Sequence, residues 1–354
     1  MFKVLTTRPI YRPLSNSRLD IVDVIESKNS IYVLQPLYLG EKFYTFEIFV
    51  DGKKIKEKIN RHLRSFKDLN KINLRIVEYE KPHPKLQKFY LALNGLKYEY
   101  ISLPRSLQGE NLITTLVKND WQLIPLWVDY YERLGYDSFL IYYNGYISDI
   151  GEELYKHLKS KAKVFLVEWP YAYYSQYYHP NPAFEYPTWH RTHAQTLSLN
   201  HALYLAKSYF DTITYLDLDE FVVEIGGTMT DKLAYIKKNK GVYQLESRWA
   251  ELREGTELAP LPKVNDNNTY FLNKSIYGKL TPQKFPDRSK YICTPDSVDL
   301  AAIHYPIVVK NESTSEIIPF SELSMFHFHN LSGATRKWED GEQPETWQFM
   351  GDFE

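Results

Sequence analysis

The chain contains a single cysteine, Cys293. One thiol cannot close an intramolecular disulfide or build a cysteine-based zinc site, so nothing here demands an oxidising compartment. An excess of charge is missing as well: 43 basic residues face 44 acidic ones, leaving a formal net charge of −1. A general nucleic-acid binder would show a basic surplus on its domain. No apolar run approaches the roughly eighteen residues of a membrane-spanning helix. The opening residues, Met1 to Pro9, lack the apolar centre of a signal peptide. The expected location is therefore cytoplasmic, with any membrane role peripheral. Glycine-rich phosphate loops are also absent, in both the G-x-x-x-x-G-K-[ST] and the G-x-G-x-x-G form.

Aromatics are plentiful, with 30 Tyr, 18 Phe and 7 Trp in 354 residues. Most suit cores and β-surfaces. Tyr171, Tyr173, Tyr174, Tyr177, Tyr178 and Trp189 instead crowd a segment without helical or strand period, where exposed rings are costly unless they contact something. The length permits one large domain or two ordinary ones. Residues 1–105 read as a β-rich unit, with strands over Asn29–Leu34, Phe43–Val50, Asn73–Val77 and Lys88–Leu93. Asp51-Gly52 and Asn94-Gly95 supply hairpin turns. Lys53 to Lys71 reads as a basic, partly helical connection.

From residue 106 to 354 strands alternate with helices. Strands are expected at Leu112–Val117, Ser138–Tyr143 and Val164–Val167, and helices at Trp121–Leu134, closed by Gly135, at Ile150–Lys159 and at His193–Ser208. This βαβ order predicts an α/β fold with a mostly parallel, helix-covered sheet. Ligands of such sheets bind beyond the carboxyl ends of the strands, where Lys118, Asn119, Asn144 and the acidic knot Asp217-Leu218-Asp219-Glu220 fall. Continued as a strand from Ile213, that knot would point Asp217 and Asp219 to one side. Paired carboxylates suit a hard divalent cation, which commonly takes one or two of them plus phosphate oxygens from its substrate. An acidic surface turn after a buried strand is the plainer alternative.

Several blocks in order then resemble glycosyltransferases of the GT-A fold, specifically family 92 and related family-2-like proteins. They are Leu116–Asp120 with Trp127–Phe139; Gln195–Asn200 with Asp217-Leu218-Asp219-Glu220-Phe221, close to a D-x-D-E-F signature; Lys290–Pro295 with Ile303–Pro306; and Phe326-His327-Phe328 with Ser332 and Lys337. The resemblance starts after residue 105. Asp120 stands where that group usually has Glu, and Tyr143 where an Asp commonly precedes Asn144.

The resemblance implies a Rossmann-like sheet with helices on both faces. It also implies sugar transfer from a nucleotide-diphosphate donor, UDP-linked in the expected case, to a glycan or glycoprotein hydroxyl, with inversion. Asp217 and Asp219 would hold Mn²⁺, or Mg²⁺, with a late histidine, His304 first and His327 second. Mixed carboxylate and imidazole ligation favours manganese. Val117, Lys118, Asn119, Asn144 and Asp217 would meet the nucleotide, and Lys290 or Lys279 the diphosphate. Glu251 is the candidate general base and Glu246 its reserve, although a surface glutamate in an ion pair is the ordinary reading of either. Arg248 and Trp249 could meet a phosphate or sugar. The competing functions are a metal-dependent nucleotidyl or phosphoryl transferase and a non-catalytic carbohydrate-binding protein.

Overall fold

The computed structural model describes residues 2–5, 7, 10–11, 19–27, 29–36, 46–65, 72–82, 88–93, 96–101, 108–170, 193–207, 209–252, 277–280, 289–310, 313–328 and 331. The aromatic segment Tyr171–Trp189, the Asn94-Gly95 turn, Ser332 and Lys337 lie outside them.

The protein is mixed α/β, built on an eight-stranded, mostly parallel sheet. Its strand order is Lys3–Leu5, Lys163–Glu168, Ser138–Tyr143, Asn111–Val117, Thr212–Tyr215, Lys290–Cys293, Gly241–Leu245 and Thr314–Ile318. Only Lys290–Cys293 runs antiparallel to its neighbours. Near-continuous Val, Ile, Leu and Tyr in Ser138–Tyr143, buried throughout, mark a strand covered on both faces.

One face carries the helices Ile124–Arg133, Gly151–His157 and Met229–Asn239, through Trp127, Tyr131, Leu154 and Leu233 packed on Phe139 and Ile141. The first begins as a 3-10 turn, Trp121–Leu123. It stops at Gly135, whose φ of 96° is the left-handed conformation that glycine adopts without a Cβ clash. The other face carries His193–Ala206, which buries Leu197, Leu203 and Tyr204 against Leu140, Tyr142 and Ile213.

Helix His193–Ala206 is apolar around most of its circumference because it is covered twice. Its outer side meets Val22, Ile25, Leu34 and Ile76 from the β-rich N-terminal region. There Asp23–Glu26, Ser30–Pro36, Ile72–Glu80 and Glu57–Ser65 form one antiparallel sheet. Leu96–Ile101, Lys88–Leu93, Phe46–Val50 and Lys53–Lys54 form another. Val33 and Val77 face Ile48 and Leu91 between them, whereas Leu34 and Ile76, one residue along, face the helix. Period-two alternation thus serves two cores from one sheet. Asp51 and Gly52, at φ 50° and 75°, make the two-residue primed turn between Phe46–Val50 and Lys53–Lys54.

Two expectations need correction. The described part of Lys53–Lys71, residues 53–65, is not helical: it holds the strands Lys53–Lys54 and Glu57–Ser65. Ile59 and Arg61 alternate inward on a strand at the sheet's margin, where charges are tolerated and discourage further pairing. The acidic knot is likewise no continuation of a strand. Thr212–Tyr215 ends before it, Glu220 N donates to Asp217 O at 3.1 Å to close a turn, and Glu220–Glu224 joins a different sheet. The Lys3–Leu5 strand, expected nowhere, pairs with Lys163–Glu168, so the chain's first residues belong to the sheet that its later part builds.

Candidate active site

The acidic turn leaves the carboxyl end of Thr212–Tyr215, at the centre of the parallel sheet. Leu218 is buried and anchors it, while Asp217 and Asp219 on either side stay partly exposed. The turn hands the chain to a four-stranded sheet ordered Glu220–Glu224, Leu323–Phe328, Ser247–Leu252 and Tyr277–Leu280. Tyrosines of helix Ile124–Arg133 satisfy the outer side of Glu220–Glu224: Tyr130 Oη donates to Val222 O at 2.6 Å and Tyr131 Oη to Glu220 O at 2.9 Å, and Val222 N donates back to Tyr131 Oη at 3.0 Å. On its inner side, register places His327 opposite Glu220. Phe328 N donates to Asp219 O at 2.9 Å, locking the histidine strand to the acidic turn.

These constraints assemble a compact charge network. Lys290 Nζ, 2% exposed, donates to Asp217 Oδ2 at 2.8 Å and lies 3.0 Å from Glu220 Oε2. Gln195 Nε2, from the start of helix His193–Ala206, donates to the other Asp217 oxygen at 3.2 Å. Asp217 N donates to Glu220 Oε2 at 2.8 Å. His327 Nε2 lies 3.2 Å from Asp219 Oδ2, and its Nδ1 faces Glu220 Oε1 at 3.6 Å. Burial opposes ionisation of Asp219, but His327 and then Lys290 outweigh it and hold the carboxyl below its usual range. Burial pushes Glu220 up to about 7, against the pull of Lys290 and with the repulsion of Asp217. Lys290 loses hydration too, yet Asp217 and Glu220 together keep it firmly charged. One ammonium shared by two carboxylates leaves the deeper one short of counter-charge.

Of the residues singled out in the sequence, the structure brings together Asp217, Asp219, Lys290 and His327. Lys290 supports the turn from beneath. His304 Nδ1 donates to Ser289 O at 3.2 Å, one residue before Lys290. Val117 is buried at the end of its strand, and Lys118 and Asn119 beyond it are exposed. Asn144 N donates to Val117 O at 2.7 Å and its side-chain amide to Trp169 O at 2.9 Å, tying three strand ends together. Glu246 follows Gly241–Leu245 and accepts from Met325 N through its carbonyl. Arg248 lies 3.8 Å over the Phe320 ring. Glu251 pairs in register with Lys279; the side chains of Glu251, Lys279 and Trp249 lie outside the described residues.

Sequence reasoning assigned no role to Glu220 or Gln195. For Glu220 the local signal is divided, since alternation puts it on the same side of its strand as the apolar Val222 and the charged Glu224. Within the block Gln195–Asn200, Asn200 is structural: its amide accepts from Ala301 N at 3.0 Å and donates to Ala301 O and Thr196 O at 2.9 Å each.

The donor set bears on a divalent cation. Asp219 and His327 are hydrogen-bonded at 3.2 Å, a spacing close to the roughly 3 Å between two ligands that sit at right angles about 2.1 Å from one ion. Among the described residues no group of three or more His, Cys, Asp or Glu side chains is arranged to hold a metal ion. A pair of protein ligands would leave positions for phosphate oxygens and water, as Mn²⁺ and Mg²⁺ sites allow.

In a mostly parallel, doubly covered α/β sheet, the carboxyl ends of the strands, where the acidic turn lies, are the usual place for a ligand. The family model for glycosyltransferase family 92 matches residues 113–352, well over half of the chain, and the protein belongs to that family. It is accordingly a glycosyltransferase, acting between a sugar donor and a glycan acceptor. No curated protein matches it in sequence. Among solved structures, the crystal structure of HddC from Yersinia pseudotuberculosis aligns with 58% of this chain and 82% of its own at 11% identity and a TM-score of 0.29, a likeness too slight to carry an argument. Among the described residues, no helix is long and apolar enough to cross a membrane.

Proposed function

We propose that the protein is a metal-dependent transferase of the GT-A type, moving a sugar from a UDP-linked donor to a glycan or glycoprotein hydroxyl with inversion. The observation that carries this reading is the Asp219–His327 pair, 3.2 Å apart, on an acidic turn at the sheet's carboxyl edge. Asp219 and His327 would hold Mn²⁺, or Mg²⁺, which supplies Lewis-acid stabilisation of the departing diphosphate. His327 is assigned this task ahead of His304 because its Nε2 lies 3.2 Å from Asp219 Oδ2.

Asp217 has both oxygens oriented, by Lys290 and Gln195, and presents them towards the donor's ribose or the cation. Lys290 neutralises charge beneath the turn, and Lys118, Asn119, Val117 and Asn144 flank the nucleotide at the neighbouring strand ends. In an inverting transfer a base takes the acceptor hydroxyl's proton as its oxygen bonds to the sugar carbon and the diphosphate departs from the opposite face. Glu251, on the strand that follows Gly241–Leu245, is assigned this role, with Glu246 as the alternative.

Asp219→Ala should reduce turnover of a UDP-sugar by at least about a hundredfold and abolish Mn²⁺-dependent thermal stabilisation by UDP, while the ligand-free protein melts as wild type. Full turnover in that variant would overturn the assignment.

A further inference from the structure

A cavity of about 200 Å³ lies at the edge of the sheet opposite the acidic turn. Helix His193–Ala206 ends there before Thr212–Tyr215 begins, and the turn Pro295–Ser297 follows the strand Lys290–Cys293. In that strand Lys290 faces the acidic turn, while Cys293 pairs with Ile213 and Val242 near the starts of their strands. The cavity is therefore separated from the acidic turn by at least the strand's length, about 10 Å. Its roof is the outer part of the N-terminal β-sheet.

The lining divides into an apolar wall and a polar wall. Tyr32, half-buried, with Ile59 and Ile76, makes the apolar side; the Tyr32 ring rests edge-on against Tyr204 at 4.8 Å. The polar side carries four basic side chains against three acidic ones, and most of them are held in ion pairs. Arg61 is ion-paired with Asp299, Lys207 Nζ lies 3.5 Å from the same aspartate and donates to Val298 O at 2.8 Å, and Lys58 lies 3.2 Å from Glu78. Asp296 and Lys310, both exposed, are the other described residues of the lining.

An incoming anion or cation would have to compete with the ion pairs already formed between a basic set, Lys58, Arg61 and Lys207, and an acidic set, Glu78 and Asp299. A neutral group offering both donors and acceptors would satisfy both sets without separating the pairs. A sugar ring combines such hydroxyls with an apolar C–H face that matches a tyrosine wall. The volume falls below the roughly 300–1,000 Å³ of clefts for drug-sized ligands, which suits one ring.

We propose that this cavity is a distal carbohydrate-binding site that takes one uncharged sugar unit of a glycan chain. That the chain is the acceptor's own rests on the transferase reading; the binding itself does not. The test is calorimetry on the full-length chain with neutral gluco-, galacto- and manno-oligosaccharides, and with inorganic phosphate and sulfate as anionic probes, all without donor. The expected result is that a neutral oligosaccharide binds wild type and Asp219→Ala alike, and about tenfold more weakly to the double variant Asp296→Ala/Lys310→Ala. Both substituted side chains are exposed, and neither belongs to the catalytic edge. Absence of binding by every neutral oligosaccharide, binding by the anions alone, or binding unchanged in the double variant would each overturn the proposal. Failure of the transferase reading would show instead as undiminished turnover in Asp219→Ala, a separate measurement.

Discussion

Two buried polar networks flank helix His193–Ala206, and they differ in how completely they are closed. Towards the N-terminal region, Tyr142 Oη, His201 Nδ1, His201 Nε2 and Asp23 Oδ2 form a chain with steps of 2.6 and 2.8 Å. The side chains of Asp23 and His201 are only 8% and 3% exposed. Towards the acidic turn, Lys290 and Glu220 are equally deep, but Asp217 and Asp219 above them keep 33% and 26% of their side-chain surface. The first network consumes its hydrogen-bonding capacity internally and joins two parts of the molecule. The second presents carboxylate oxygens at the surface from a base that cannot relax, which is how a rigid site supports ligands that arrive later.

The largest expected effect tests the base of the open network. Lys290→Met leaves Glu220, 1% exposed, and Asp217 without their shared cation, and breaking a buried ion pair from one side costs roughly 3–5 kcal/mol. Denaturant unfolding should show that loss, with turnover falling as the acidic turn loses its orientation. Adding Glu220→Gln should recover part of the stability but not the activity, because Asp217 remains unsupported. Additive losses in that double-mutant cycle would show the two residues to be independent, and the comparison would lose its basis.

How far this arrangement was legible in the sequence depends on the range of the interactions. Strands Ser138–Tyr143 and Lys88–Leu93 and the helix ended by Gly135 were readable because burial on both faces, alternation and a left-handed glycine are local signals. Glu57–Ser65 misled because its charges and sparse apolar residues resemble a solvated helix, while its strand state depends on the partner Ile72–Glu80. The turn at Asp217–Asp219 was hidden for a related reason: the chain changes sheets there, and the bond that fixes it reaches Phe328. The D-x-D-E pattern pointed to the candidate site, yet only the fold revealed that Glu220 points inwards to Lys290. Nothing local relates Asp23 to His201, 178 residues away.

A smaller effect probes the closed network. Asp23→Ala removes the acceptor of His201 Nε2 and the oxygen that receives Val24 N at 2.8 Å. Loss of a buried hydrogen bond to a charged group costs about 1.5–3 kcal/mol, and an unfolding curve would measure it. If this network is purely a strut, turnover per folded molecule should stay near wild type. A specific fall in kcat with unchanged stability would give the network a catalytic role and erase the distinction drawn between the two.

The finest comparison removes one neutral hydrogen-bonding group from each network. Tyr142→Phe deletes the hydroxyl that lies 2.6 Å from His201 Nδ1 and leaves a buried ring nitrogen without that partner, for about 1–2 kcal/mol. Gln195→Ala deletes the amide on Asp217 Oδ1, but that oxygen belongs to a side chain water can reach, so the stability change should stay below about 1 kcal/mol. The order reverses for function: Gln195→Ala frees one side of Asp217 and should raise the KM for the donor, whereas Tyr142→Phe should not. Steady-state kinetics beside urea melts would show both signs. Equal stability losses would mean that the acidic turn is as sealed as the strut, and its exposed carboxylates would then be surface detail and not a prepared site.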